Sequence, residues 1–142
     1  MTSPHHRKLK ILTLDIGGSE YQLQCRKAQI VNNTDDGETF YTFGNDGNDD
    51  STSFVEAADP SYALDLEFYS DWRSAGISDW LWDHDGEDVD FQLDLNPDIP
   101  AEHVIFNGTV NVKSPSPGGE VRTTDVTAAT LQCAGKPVKT RP

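Results

Sequence analysis

No stretch of this 142-residue sequence approaches the roughly 18 consecutive apolar residues of a membrane-spanning helix, and Met1 to Lys8 lacks the apolar segment of a secretory signal. The chain is therefore expected to start out in the cytosol, with no membrane partner. Cysteine is nearly absent. Cys25 and Cys133 stand far apart without CxxC or Cys/His spacing, so neither a zinc site nor a disulfide framework is suggested, and two ordinary thiols is the simpler reading. Cations are outnumbered, 11 Lys and Arg against 24 Asp and Glu, for a net charge of −13. Proteins that grip nucleic acid neutralise phosphates with clustered Lys and Arg, and this chain would repel them at low salt.

The deficit of cations is local. Residues 1–34 hold five basic and two acidic side chains, residues 35–102 one and twenty, and residues 103–142 five and two. Arg73 is the only Lys or Arg in the middle segment. Solvated surfaces usually mix both signs along the sequence. The acidic middle serves solubility, faces a polyanion that it must not bind, or meets the basic ends of another subunit.

Chemistry-bearing motifs are also missing. Paired carboxylates could suggest glycoside hydrolysis, but twenty acids in 68 residues generate neighbouring pairs by chance. Asp83 to Asp88 and Asn45 to Asp50 superficially resemble calcium loops without the EF-hand spacing. His5, His6, His84 and His103 lack metal-ligand spacing, and no Ser/His/Asp order or phosphate-cradling loop stands out. No catalytic, metal or cofactor-binding residue is assigned, and no enzyme is expected.

What the sequence does have is alternation. Tyr62, Leu64, Leu66 and Phe68 share one strand face, with Ala63, Asp65 and Glu67 on the other. The period recurs in Val89, Phe91, Leu93 and Leu95 against Asp88, Asp90, Gln92 and Asp94. It recurs again in Val104, Phe106, Val110 and Val112 against Asn107, Thr109, Asn111 and Lys113. One apolar and one polar face per strand predicts antiparallel sheet packed on one side. Pro97 and Pro100, then Pro115, Pro117, Gly118 and Gly119, mark turns, and a last strand is predicted from about Arg122 to Cys133.

Residues 1–31 read as an arm and a hairpin. The change of phase from Leu9 and Ile11 to Leu12, Leu14 and Ile16 predicts a bulge before a Gly17-Gly18 turn, with Tyr21, Leu23 and Cys25 on the return strand. Residues 32–60 form a long polar loop carrying Phe40, Tyr41, Phe43 and Phe54, with a hairpin expected across Glu38 to Gly44. Loops of this length are uncommon unless functional or disordered, and the aromatics argue for ordering against a partner. Residues 61–142 supply the remaining strands and one helix over 70–84. There Ser70 or Asp71 is the expected cap, and Ile77, Trp80, Leu81 and His84 lie on one face, with Gly86 as the stop. Trp72, Trp80 and Trp82 fall in this segment. Trp80 and Trp82 project from different helix faces, so core packing and subunit contact are more economical than a flat sugar-stacking platform.

Several fragments in order carry a resemblance. They are Ala58 to Trp72 (ADPSYALDLEFYSDW), Gly76 to Asp83 (GISDWLWD), Asp88 to Leu93 (DVDFQL), Phe106 to Val110 (FNGTV) and Leu131 to Pro137 (LQCAGKP). Together they resemble the major tail protein, or tail tube protein, of long non-contractile-tailed phages of actinobacteria, over about the last 85 residues. The resemblance implies one tail tube domain, mainly β, an antiparallel sandwich or barrel-like fold with one flanking helix and a long stacking loop. It implies a structural virion protein whose homohexameric rings stack into the tail tube, the conduit for DNA ejection. The implied partners are other copies of the chain, a tape-measure protein, and tail terminator and distal tail proteins, with genomic DNA passing through unbound.

Carried onto this sequence, Phe40, Tyr41, Phe43 and Phe54 become inter-ring loop contacts. Trp72, Ile77, Trp80, Leu81 and Trp82 become helix core or interface. Asp65, Glu67, Asp88, Asp90 and Asp94 become candidate lumen acids. The other readings are a tail terminator or capsid decoration protein, and a carbohydrate-binding β-sandwich module.

Overall fold

Of the three alternating segments, those at 88–95 and 104–111 lie side by side in one sheet, and that at 62–69 is the central strand of another. A computed structural model describes residues 8–41, 53–55 and 58–142. Its strands are β1 (Leu12–Ile16), β2 (Ser19–Glu20), β3 (Cys25–Asn32), β4 (Thr39–Tyr41), β5 (Ser53–Val55) and β6 (Tyr62–Tyr69). After the helix α1 (Ile77–Asp83) come β7 (Asp88–Leu95), β8 (Val104–Asn111), β9 (Val126–Gln132) and β10 (Val138–Thr140). One sheet has the order β10-β8-β7-β1-β2, a second β3-β6-β9, and β4 pairs with β5 alone. Every strand pairing is antiparallel.

Register explains the layers. In the five-stranded sheet Leu14, Leu93 and Phe106 are successive partners, as are Ile16, Phe91 and Gly108, so the inward faces coincide. In the three-stranded sheet Ile30, Leu64 and Leu131 align in the same way. These rows meet as one buried cluster that includes Leu14, Ile16, Leu64, Leu66, Phe68, Leu131, and Ile77 and Leu81 from α1. Each fully buried Leu- or Phe-sized side chain stabilises the fold by about 1.5–3 kcal/mol, so the sandwich is held chiefly by this shared row. Along one margin the sheets are also joined, by a Val110–Cys133 bridge and by the Ala134 amide donating to the Thr109 carbonyl at 2.8 Å.

The helix is shorter than predicted. Residues 71–76 form a turn in which the Asp71 carboxylate accepts from the Arg73 amide and guanidinium, while the Asp71 amide donates to Ser78 Oγ. A Cβ on Gly76 would stand 2.3 Å from the Asp71 carbonyl oxygen, so only glycine fits where the turn meets the helix. Neither Ser70 nor Asp71 caps α1. Its N-cap is Gly76, and the first-turn amide of Ile77, which has no partner within the helix, donates to Gln24 Oε1, 2.8 Å away on the β2–β3 connection. Trp72 consequently precedes the helix.

Other boundaries move for similar local reasons. β1 pairs with β7 without a break from Leu12 to Ile16, so the predicted bulge is absent there. The irregularity falls instead between Cys25 and Lys27. Gly17 and Gly18 both have positive φ, 62° and 90°, as a tight two-residue hairpin turn requires. The return strand ends at Glu20, after which the chain crosses to the other sheet, burying Tyr21 and leaving Leu23 94% exposed. The last long strand begins at Val126, after a turn around Val121 and Arg122. Within the loop, Phe40 pairs with Phe54, so the ribbon is wider than a hairpin across Glu38 to Gly44.

Candidate functional site

The outward face of the five-stranded sheet gathers carboxylates from three strands. Asp15 lies opposite both Gln92 and Glu20, Thr13 opposite Asp94, Asp90 opposite Thr109, and Asp88 opposite Asn111. Partners in register share a face, so Asp15, Glu20, Asp88, Asp90 and Asp94 all stand on the side away from the core. No Lys or Arg takes an outward position in these five strands; Lys113 follows the end of β8.

The acids are held by neutral donors instead. Thr109 Oγ1 donates to Asp90 at 2.9 Å, Gln92 Nε2 to Asp94 at 2.9 Å, Asn111 Nδ2 to Asp88 at 3.1 Å, and the Gly18 amide to Asp15 at 3.0 Å. His103 Nε2 lies 3.4 Å from Asp94. Such bonds fix the carboxylates and leave their charge uncancelled. Alternate residues along a strand are about 7 Å apart, inside the roughly 8 Å screening length of physiological salt. Each neighbouring pair then repels by about 0.6 kcal/mol in water, close to thermal energy. A marginally stable fold tolerates that singly, while a polyanion approaching the face meets all the charges together.

The other acids expected to act with these are differently placed. Asp65 and Glu67 face outward from β6 on the three-stranded sheet, where Lys27 Nζ lies 3.1 Å from Asp65 and the Arg26 guanidinium bonds Glu67. The cations belong to the basic first segment and the acids to the acidic middle. Part of the complementarity expected between subunits is thus satisfied within one chain. The sequence-predicted acids form two sets: Asp88, Asp90 and Asp94 share one uncompensated face, and Asp65 and Glu67 a compensated one.

Asp15 and Glu20 were not singled out by sequence reasoning, although Thr13 and Asp15 alternate with Leu12, Leu14 and Ile16 and so carried the signal. Asp85 Oδ1 accepts from the Ser114 amide at 2.8 Å, so the 83–88 segment spends carboxylate oxygens on its own neighbours. Among the described residues no group of three or more His, Cys, Asp or Glu is disposed to hold a metal ion.

The aromatic candidates also separate. Ile77 and Leu81 are fully buried. Trp80 stacks on His84 with ring centroids 4.3 Å apart, and lies tilted against Tyr21. Trp72 and Trp82 are 40% and 51% exposed and meet edge to face at 66°, which gives no single flat platform. Phe40, Tyr41 and Phe54 fall in the β4–β5 ribbon, with Phe40 38% exposed, whereas Phe43 lies outside the described residues.

A cleft of about 690 Å³ opens between β1 and β3, with Leu12, Ala28, Ile30, Leu95 and Phe106 in its lining and the exposed Lys10, Arg26 and Lys27 beside them. Cys25 also lines it, and burial pushes its thiol up to about 11; burial raises the Cys133 thiol as well. Both cysteines are free. Among the described residues no helix is long and apolar enough to cross a membrane. No known protein family matches the chain, and no curated protein does.

Proposed function

We propose that this protein is a structural subunit of a phage tail tube, in which homohexameric rings stack around a bore that conducts the genome. The reading is carried by the outward face of the five-stranded sheet: five carboxylates, neutral hydrogen-bond donors and no Lys or Arg in an outward position, Lys139 of β10 being in register with the inward Phe106. A wall of that kind lets DNA slide past, because it offers phosphates neither a cation to bind nor a counterion to release. In this reading Asp15, Glu20, Asp88, Asp90 and Asp94 line the bore, and Asp65 and Glu67, already paired with Lys27 and Arg26, lie elsewhere on the subunit.

Open sheet edges support the same reading. β10 and β3 are terminal strands of their sheets, and a neighbouring copy that pairs with them removes an edge that would otherwise invite uncontrolled association. The tube holds a tape-measure protein until ejection, ends at terminator and distal tail proteins, and places the chain in the virion. Electron microscopy of the purified protein at high concentration tests the proposal. Hollow tubes whose bore is formed by the β1–β7–β8 face are expected; a persistent monomer, or a bore lined by neutral or basic side chains, overturns it.

A further inference from the structure

The cleft between β1 and β3 is an unusual possession for so polar a chain. Its lining brings apolar side chains of both sheets to an opening, and Leu9 beside them is 55% exposed. Three exposed cations, Lys10, Arg26 and Lys27, stand at the same place. Arg26 and Lys27 bond Glu67 and Asp65, but these pairs are half-exposed, and such pairs contribute about 0–1 kcal/mol, so the cations can be shared with an arriving acid at little cost. Lys10 adds a charge that no acid among the described residues bonds.

The chain contains a segment of complementary chemistry. Residues 35–41 read Asp-Asp-Gly-Glu-Thr-Phe-Tyr, three acids followed by two aromatics, with no cation. Phe40 stands 38% exposed on the β4–β5 ribbon, and none of residues 33–41, all described, lines the cleft of its own chain. The ribbon is rooted where the Asn33 amide donates to the Ser61 carbonyl at 2.7 Å and the Ser61 amide to Thr34 Oγ1 at 2.9 Å, a clasp that ties its two stems together. A buried aromatic side chain removes roughly 150–250 Å² from water, and a volume of this size holds at least one ring with its flanking backbone.

We infer that the β1–β3 cleft is the seat for residues 35–41 of a second copy of this chain, with Phe40 entering the apolar lining and Asp35, Asp36 and Glu38 meeting Lys10, Arg26 and Lys27. The inference rests on the assembly reading above, and it names which surface of one subunit receives which segment of the next. Charge also disfavours the alternative nearest in the fold: the outward face of the five-stranded sheet gathers carboxylates and repels the same acidic segment, whereas the cleft offers it cations.

Carbodiimide coupling of an equal mixture of ¹⁴N- and ¹⁵N-labelled protein tests this under assembling conditions, with micrographs taken of the same samples. Amide cross-links joining Lys10 or Lys27 to Asp35, Asp36 or Glu38 are expected as mixed-isotope pairs. The Lys27–Asp65 cross-link, across 3.1 Å within one chain, remains single-isotope and serves as the internal control. Phe40→Ala is expected to reduce the mixed pairs at least tenfold while leaving the Lys27–Asp65 control, which reports the folded subunit, unchanged. Mixed pairs that persist in Phe40→Ala, or 35–38 cross-links found only within one isotope, overturn the seat. Tubes without mixed pairs overturn it and leave the tube reading standing; mixed pairs without tubes support the seat and overturn the tube.

Discussion

Gly108 faces Phe91 across the β7–β8 ladder, and the aromatic ring occupies the space that a side chain would need: a Cβ there would lie 2.8 Å from Phe91 Cε1 and 3.5 Å from Pro137 Cβ. Phe91 is 3% exposed, so its ring has nowhere to retreat. Gly108→Val is therefore expected to destabilise the fold by about 1–3 kcal/mol, the range for overpacking a filled core. Chemical denaturation of the two proteins measures it, and a neutral substitution would mean that the core is looser than this register implies.

Reversing the outward acids should convert an excluding face into a binding one. Asp88→Lys, Asp90→Lys and Asp94→Lys together change the charge of that face by about six units and introduce cations where none stands. Counterion release then favours DNA, with affinity falling steeply as salt is raised. A gel-shift titration at low salt is expected to show binding by the triple variant and none by the parent. The reversal of Asp65 and Glu67 is expected to do less, since it also places new cations against Arg26 and Lys27.

The Asp71 carboxylate is held below its ordinary range, first by its hydrogen bonds from the Arg73 side chain and then by the Arg73 amide and charge. A depressed carboxyl stabilises the fold above the unfolded value of about 3.9, and that contribution is lost as pH falls through the lower folded value. Asp71→Asn should accordingly lower the melting temperature at pH 7 and have a progressively smaller effect below pH 4. A melting-temperature difference that stays constant from pH 7 to pH 2 would show that the turn depends on shape alone.

With its thiol pushed up to about 11 by burial, Cys25 carries roughly one thiolate in a thousand at pH 8, against about one in four for a free thiol. Reaction with a disulfide reagent should be slow in the native protein and become fast on unfolding. A Cys25 labelled within seconds at pH 8, located by mass spectrometry, would contradict its placement in the cleft.

Much of this architecture was legible because period-two alternation survives in β6, β7 and β8, whose predicted inward residues Leu64, Leu66, Phe68, Phe91, Leu93 and Val110 are all buried. β3 was not read as a full strand, because the irregularity between Cys25 and Lys27 breaks the parity that links Cys25 to Ala28 and Ile30. The helix start was misplaced because Asp71 looks like a cap but binds Arg73 in a turn, and the amide that needed capping found Gln24 from 53 residues away. The same distance in sequence hid the site. Asp65 and Glu67 read as equivalents of Asp88 and Asp90 until Arg26 and Lys27, 38 to 41 residues earlier, are laid beside them. Composition alone cannot say which acids meet a cation; register can.

The bridge from Val110 to Cys133 and the bond from Ala134 to Thr109 bind the two sheets along one margin, while the cleft parts them at β1 and β3. A sandwich sewn on one side has a built-in direction of compliance. Tension across the subunit widens the unsewn side first, at the cost of a few apolar contacts, before it can shear the eight-residue ladder of β7 and β8. The fold can in this way yield slightly and spring back under bending, with its outward carboxylates still fixed to a rigid sheet.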